Sequence, residues 1–481
     1  MKSNLRMLRS ISLLVLIYLV AVPLGGVARA DGIQSAFPQL SRWIQSVESG
    51  KPVKADVSVT LHTILPFAEK ELLVLNELVE EVQGQFYYHQ GADTLHTEAE
   101  VYLGNQMAFN FGERESAGGA EAYITGTDDM LLTSEEGSAL DVFLGTNGLD
   151  TITDPYVAIL RYDEMRDALA ELLVPLEEYG KAKKQSFSIK NVGKAARSMV
   201  YTFPKDEGQL LKDMLVSLAD TSGWQEVVSL FRTMTLSGKG TLTAYYTSND
   251  ELIGLAYAGE LAFGDATPRK ITFLWGFSTD TKRDIHTFSL KAPATKGSDN
   301  LTITGNQTWN LQSGKEGLTF EWNVTSKISG KTEKDIVSVK LTNARGESTD
   351  SLKGDISLTR EFQKNTEIWL LQPALLITGG TIDGSVRYTH TYNKKAQQDL
   401  TLTIAAKEAV ELRLPFGGVV VDVNRLFPNE RESMENKVAQ SIAYGVLAAA
   451  LQLPEEKLQF IRSGMDDLDW NQVIQAFTGN Q

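Results

Sequence analysis

The sequence predicts an α+β fold, in which a long antiparallel β-sheet forms a curved, half-barrel-like meander and amphipathic helices pack on its apolar face. Three observations support this prediction. Residues 236–415 alternate between apolar and polar side chains, residues 31–235 mix short strands with helical repeats, and residues 416–481 have helical periodicity. Alternation indicates strands with one buried face, whereas apolar residues at i, i+3 and i+4 indicate helices. The composition, 42% hydrophobic and 22% charged, is that of a globular protein.

Residues 1–30 have the pattern of a secretory signal peptide. Positive residues up to Arg9 precede an apolar run from Ile11 to Val22, and Ala28-Arg29-Ala30 matches a cleavage site. The apolar run is shorter than the ~20 residues that a membrane-spanning helix needs. We therefore expect an exported protein of the extracellular space or the cell envelope, with no transmembrane span after cleavage.

Residues 31–235 are expected to form an N-terminal α+β region. Val53–Thr63 alternates as a strand, and four or five short strands separated by glycines are expected between Gln83 and Leu144. Amphipathic repeats predict helices over residues 66–82, 163–179, 205–219 and 222–231.

Residues 236–415 are expected to form the antiparallel meander. Phe320, Trp322 and Val324 share one face of a predicted strand, and Tyr388 and Tyr392 share a face of another. The interleaved residues are mostly polar, which is typical of an antiparallel sheet with one buried and one solvated face. The apolar runs at 368–377 and 412–426 fit either a buried strand or a loop in an apolar cavity.

The C-terminal region, residues 416–481, is expected to be helical and to pack on the sheet. Asn429 and Glu432 have the spacing of a capping box, and the apolar residues from Met434 to Ala450 then recur every four positions. A last helix is expected after Asp469. Because one stripe of each helix is apolar, each must be buried against another surface.

Charge and composition exclude several classes of function. Removing residues 1–30 takes four of the 46 basic residues and none of the 61 acidic ones, which gives a net charge of −19. Nucleic-acid partners need basic patches, so we exclude them. There is no cysteine, and the five histidines form no recognised ligand pair. No nucleophile–base motif is visible either, so the sequence predicts a non-enzymatic protein without metal or cofactor.

The order of strands and amphipathic helices resembles that of the lipoprotein and lipid carriers of bacterial envelopes. This resemblance concerns architecture over residues 50–480 and no motif. It implies a cavity between sheet and helices that binds a lipid or another apolar ligand. The residues expected to line such a cavity are Phe320, Trp322, Trp369, Leu376, Tyr388 and Tyr392. The same residues would also suit an ordinary hydrophobic core.

An alternative function is that of a structural or surface-interaction protein. The polar face of the meander, rich in Thr and Ser, would then be the working surface for an envelope protein or a glycan, or an edge strand would pair with a partner. A glycan-binding surface needs exposed aromatic side chains, and Tyr245, Trp275 and Trp309 are the candidates.

Overall fold

The chain is described by a computed structural model. It describes residues 36–64, 82–144, 180–203, 234–263, 269–328, 331–410 and 419–452, with short gaps inside these ranges and a few isolated residues elsewhere. The predicted signal peptide and the helices predicted at 66–82, 163–179, 205–219, 222–231 and after Asp469 lie outside these ranges.

Most of the described chain is β-strand, so the prediction of an α+β fold with a helical cover over the apolar face of the sheet is wrong; the three described α-helices pack on parts of the sheet only. Among the described residues, 21 strands form one sheet and two more form a separate hairpin. The strands are β1 Val53–Ile64, β2 Val82–Gln90, β3 Thr94–Leu103, β4 Gln106–Ser116, β5 Gly119–Ile124, β6 Met130–Ser134, β7 Gly180–Lys183, β8 Phe187–Ile189, β9 Gly193–Ala195, β10 Arg197–Phe203, β11 Met234–Leu236, β12 Gly240–Tyr246, β13 Leu252–Phe263, β14 Arg269–Thr279, β15 Arg283–Pro293, β16 Asn300–Asn310, β17 Gly317–Ile328, β18 Lys331–Arg345, β19 Asp350–Phe362, β20 Asn365–Ile377, β21 Thr381–Tyr392, β22 Lys395–Glu408 and β23 Val419–Asp422.

Strand β1 joins two antiparallel series into one sheet. On one side it pairs with β2, and the pairing continues in chain order to β6. On its other side β1 pairs with β22, and the pairing runs back strand by strand to β12. Strands β10 and β7 extend the sheet beyond β12. The sheet therefore runs across the expected boundary at residue 235.

Three α-helices lie among the described residues: α1 Pro38–Glu48, α2 Ala139–Leu144 and α3 Pro428–Ala450. Helix α1 contacts β2 and β19, whereas α3 contacts β3 and β4. The 3.6-residue pattern shows that a helix needs to bury a stripe, but it does not identify the surface that the stripe meets. Of these helices, none is long and apolar enough to cross a membrane.

Helix α3 packs on β4 at very short range. Its packed stripe includes Met434, Val438 and Ile442, which belong to a cluster with β5, β6 and α2. One turn further on, an added Cβ at Gly445 would lie 2.0 Å from the backbone oxygen of Ala108. Only a residue without a side chain allows this approach. The helix begins one residue before the predicted capping box, and Glu430 rather than Glu432 accepts the hydrogen bond that caps its N-terminus.

Helix α1 is anchored on the long meander by a buried carboxylate. Residue Phe37, which precedes Pro38, gives the helix no side-chain cap. Instead, Asp350 at the start of β19 accepts hydrogen bonds from the backbone N–H groups of Gln39 at 2.7 Å and Leu40 at 3.1 Å. The first N–H groups of a helix have no partner within the helix, so Asp350 satisfies two of them.

The main hydrophobic core lies beneath α1. Its helix side chains are Phe37, Leu40, Trp43 and Ile44, and the opposing sheet residues come from β1 and from β16 to β22. The core residues from the sheet are Val53, Ala55, Trp309, Leu318, Phe320, Leu341, Leu352, Leu375, Ile377, Ile382, Val386, Ile404 and Ala406. The apolar run at 368–377 is therefore strand β20 and contributes directly to this core.

Candidate functional site

The candidate site is the part of the apolar sheet surface that extends beyond the α1 core. We call it the open apolar face. It carries large apolar side chains on five consecutive strands, β17 to β21, and all of them are half-buried. These residues are Trp322, Val337, Val339, Ile356, Leu358, Trp369, Leu371 and Tyr388.

Cross-strand register places these side chains in two rows. Trp322 pairs with Val337, which pairs with Leu358, which pairs with Trp369. A second row begins at Phe320 and passes through Val339, Ile356, Leu371 and Tyr388 in the same way. Directly paired side chains lie close enough to contact each other, so each row is a continuous apolar strip. With strands ~4.8 Å apart, the first strip crosses about 14 Å of sheet and the second about 19 Å.

Burial decreases along each strand with distance from α1. On β18, Leu341 is buried, whereas Val339 and Val337 are half-buried. On β20, Ile377 and Leu375 are buried, whereas Leu371 and Trp369 are not. The open apolar face is thus continuous with the core at one end.

The other end of the open apolar face is bordered by charged and polar side chains. Arg360 donates to Asp335 at 2.9 Å, and its guanidinium carbon lies 6.0 Å from the ring centre of Trp369. His390 stacks on Trp369 with ring centres 5.2 Å apart and planes 2° from parallel. The Nε2 atom of His390 lies 2.8 Å from Glu367 Oε1. This arrangement gives the face a polar rim on the side away from α1.

Burial and charge change the ionisation of tyrosines on this surface. Burial of Tyr388, together with the nearby Glu367 carboxylate, raises the pKa of its hydroxyl. On the neighbouring part of the sheet, burial raises the pKa of Tyr257 to about 12. Both hydroxyls are therefore neutral at physiological pH and leave the surface without phenolate charge.

The structure brings together four of the six residues expected to line a cavity. Trp322, Trp369 and Tyr388 belong to the open apolar face, and Phe320 is buried beside it. The other two, Leu376 and Tyr392, lie outside the open apolar face. Leu376 lies on the opposite face of β20, because its sequence separation from Trp369 is odd, and it is 48% exposed.

Tyr392 shares the face of Tyr388 but lies at the end of β21, past the polar rim, where it is 41% exposed. The residues of this face that the predicted lining does not include are Val337, Val339, Ile356 and Leu358, whereas Leu371 lies inside the apolar run that contains Trp369 and Leu376. Their alternation with polar neighbours was the available signal, and only the register adds that they adjoin the aromatic side chains.

A group of buried polar side chains lies on the same face at β15 and β16, beside the core under α1. Asp284, His286, Gln307 and Trp309 are each at most 6% exposed. His286 pairs across the strands with Gln307, and Asp284 pairs with Trp309. His286 Nε2 lies 3.3 Å from Asp284 Oδ1. No sequence motif marks this group, because its members are ordinary residues of alternating strands.

The structure offers no metal centre in the part of the chain that it describes. There, no group of three or more histidine, aspartate and glutamate side chains is arranged to hold an ion. The aromatic residues of the glycan hypothesis are not exposed platforms: Trp309 and Tyr245 are buried, and Trp275 is half-buried.

No protein-family model and no curated protein matches the sequence. Similar solved structures include one titled as the outer-membrane expressed OmpT of Vibrio cholerae, with 8% identity, coverage of 74% of this chain and 95% of that one, and a TM-score of 0.24. Another is a Salmonella typhi OmpF complex with daunomycin, with 7% identity, coverage of 75% and 98%, and a TM-score of 0.21. Neither title names a lipid or lipoprotein carrier, and TM-scores of this size do not establish a shared fold.

Proposed function

We propose that this chain is an exported, non-enzymatic protein of the cell envelope or extracellular space that binds an apolar ligand, such as a lipid, on the open apolar face. The observation that carries the proposal is the pair of apolar strips on β17 to β21, whose large side chains remain half-buried apart from the buried Phe320. Contiguous exposed apolar surface on a protein commonly marks a binding site.

The surroundings of the two strips favour a ligand with a long apolar part. The strips cross about 14 Å and about 19 Å of sheet, far more than a single buried side chain occupies. They adjoin a closed core at one end and a polar rim at the other. Ligand sites of this kind are mostly apolar, with a few placed polar groups that orient the ligand.

A pair of matched variants tests this proposal. Leu358→Glu places a charge in the middle of the first strip, whereas Leu376→Glu places the same charge on the opposite face of the neighbouring strand. Native mass spectrometry of protein purified from its own host is expected to show an added mass that organic solvent extracts. We expect Leu358→Glu to lose this mass and Leu376→Glu to keep it, because burying a charge without a partner is costly.

A second assay uses N-phenyl-1-naphthylamine, an uncharged probe that fluoresces in apolar surroundings. The wild type and Leu376→Glu are expected to enhance its emission, and Leu358→Glu is expected to do so at least tenfold less. A wild type that carries only its polypeptide mass and does not bind the probe would contradict the proposal. The opposite, polar face would then be the surface to examine for protein or glycan partners.

A further inference from the structure

The polar group on β15 and β16 contains hydrogen-bond donors that have no partner in the described part of the chain. Gln307 is 6% exposed, and its Nε2 atom has no hydrogen-bond partner among the described residues. Trp309 is 1% exposed, and its Nε1 atom likewise has no partner in the described chain. Leaving a buried donor unpaired costs about 1–3 kcal/mol, so nearly all such groups in native proteins have partners. Two of them on one strand indicate that a bound molecule supplies the acceptor.

These donors lie on the same side of the sheet as the open apolar face, and they are next to it. Gln307 pairs with Phe320, the first residue of the second apolar strip. Gly305 lies two positions before Gln307 on the same side of the sheet, and it pairs with Trp322 of the first strip. Because glycine has no side chain, no side chain of β16 separates Gln307 from Trp322 at that position.

The remaining members of the group define the charge that the site accepts. His286 pairs with Gln307, stacks on half-buried Trp275 with ring centres 6.1 Å apart, and approaches the Asp284 carboxylate to 3.3 Å. Asp284 itself is fully buried. A second carboxylate brought next to it would be disfavoured by like-charge repulsion and by desolvation.

We propose that Gln307 and Trp309 bind the uncharged, oxygen-bearing head group of an amphipathic ligand, such as an alcohol, whose apolar chain lies on the open apolar face. This inference rests on the proposed function. The amide and indole N–H groups donate to the ligand oxygen, and the Asp284–His286 pair borders the site and excludes carboxylate heads. The ligand is therefore anchored by its head beside the α1 core, with its chain directed toward the polar rim.

Displacement of N-phenyl-1-naphthylamine by 1-dodecanol and by laurate tests the head-group site. The wild type is expected to bind 1-dodecanol at least tenfold more tightly than laurate at pH 8. Gln307→Leu, which removes the donor but keeps the volume, is expected to weaken 1-dodecanol binding about fivefold, the value of one hydrogen bond. Trp309→Phe is expected to weaken it to a similar extent. The matched control is Thr308→Val, on the opposite face of the same strand, and it should leave binding unchanged.

The outcomes separate this inference from the function on which it rests. If the wild type binds neither the probe nor 1-dodecanol, the proposed function is wrong. If both bind but Gln307→Leu and Trp309→Phe bind 1-dodecanol as the wild type does, only the head-group site is wrong. Equal affinity of the wild type for laurate and 1-dodecanol would also overturn it. Gln307→Leu is expected to fold with unchanged or greater stability, because it removes a buried amide nitrogen that has no partner among the described residues.

Discussion

Asp350 is expected to be the residue whose loss most weakens the attachment of α1. It is completely buried and lies 311 positions from Gln39, the first residue that it contacts. One carboxylate oxygen accepts the N–H groups of Gln39 and Leu40, and the other accepts Asn343 Nδ2 at 2.9 Å. The substitution Asp350→Ala removes all three hydrogen bonds and leaves two N–H groups at the start of α1 without an acceptor.

The expected loss in the free energy of unfolding follows from these contacts. Each buried donor left without a partner costs about 1–3 kcal/mol. Asn343 keeps its second hydrogen bond, to the backbone oxygen of Ala36. Losing the hydrogen bond between Asn343 and Asp350 therefore costs the least stability of the three. We expect Asp350→Ala to lower the free energy of unfolding by about 3–5 kcal/mol. Asp350→Asn keeps the volume and one acceptor but loses the charge that favours a helix N-terminus, so we expect about 2 kcal/mol.

Urea denaturation followed by tryptophan fluorescence measures this loss, because Trp43 on α1 and Trp309 on the sheet beneath it are both fully buried. Hydrogen exchange should show faster exchange of the Gln39 and Leu40 amides. The control is Asp355→Ala on the same strand, whose exposed side chain contacts Gln372 and whose loss should cost under about 0.5 kcal/mol. If Asp350→Ala unfolds at the wild-type urea concentration with unchanged exchange in α1, the assignment of Asp350 as the anchor is refuted.

Two further predictions concern α3 and the polar face of the sheet, opposite the open apolar face. Gly445→Val should separate α3 from β4 and destabilise the fold by several kcal/mol, because the Cβ of the new side chain would overlap the Ala108 carbonyl oxygen. Urea denaturation measures this loss of stability. The control is Ala443→Val on the same helix. The Arg387 guanidinium lowers the pKa of the Asp399 carboxyl, so this pair stabilises the folded state above the ordinary aspartate pKa and loses its effect as pH falls through the lowered value. Asp399→Asn should therefore lose less stability than the wild type between pH 5 and pH 2.5, and equal losses in urea midpoint would contradict this.

The sequence was most informative where strands are long and one face is solvated. The alternation around Phe320, Trp322 and Val324 coincides with β17, and that around Tyr388 and Tyr392 coincides with β21. Period-2 patterning specifies which side chains share a face, since each step along a strand reverses the side. The same patterning separates Leu376 from Trp369: both lie in one apolar run, but their odd separation puts them on opposite faces of β20.

The contacts that hold the fold together between distant segments could not be read from the sequence. Asp350 follows a turn and has no local pattern that marks it as the cap of a helix 310 positions away. The pairing of β1 with both β2 and β22 is equally non-local, because either edge of a strand accepts any antiparallel partner. For the same reason, helical periodicity predicted that α3 buries a stripe but did not predict that β4 receives it.

The distinction between the buried core and the half-buried open apolar face depends on where α1 ends. Phe320 and Trp322 are two residues apart on one strand, share one face and have the same alternating neighbours, yet only Phe320 is buried. The difference arises because α1 lies over the end of the meander marked by Trp309 and Leu341, and its 11 residues extend only about 16 Å. The length of this helix and its attachment to Asp350 therefore determine how much of one uniform apolar pattern becomes core and how much remains half-buried.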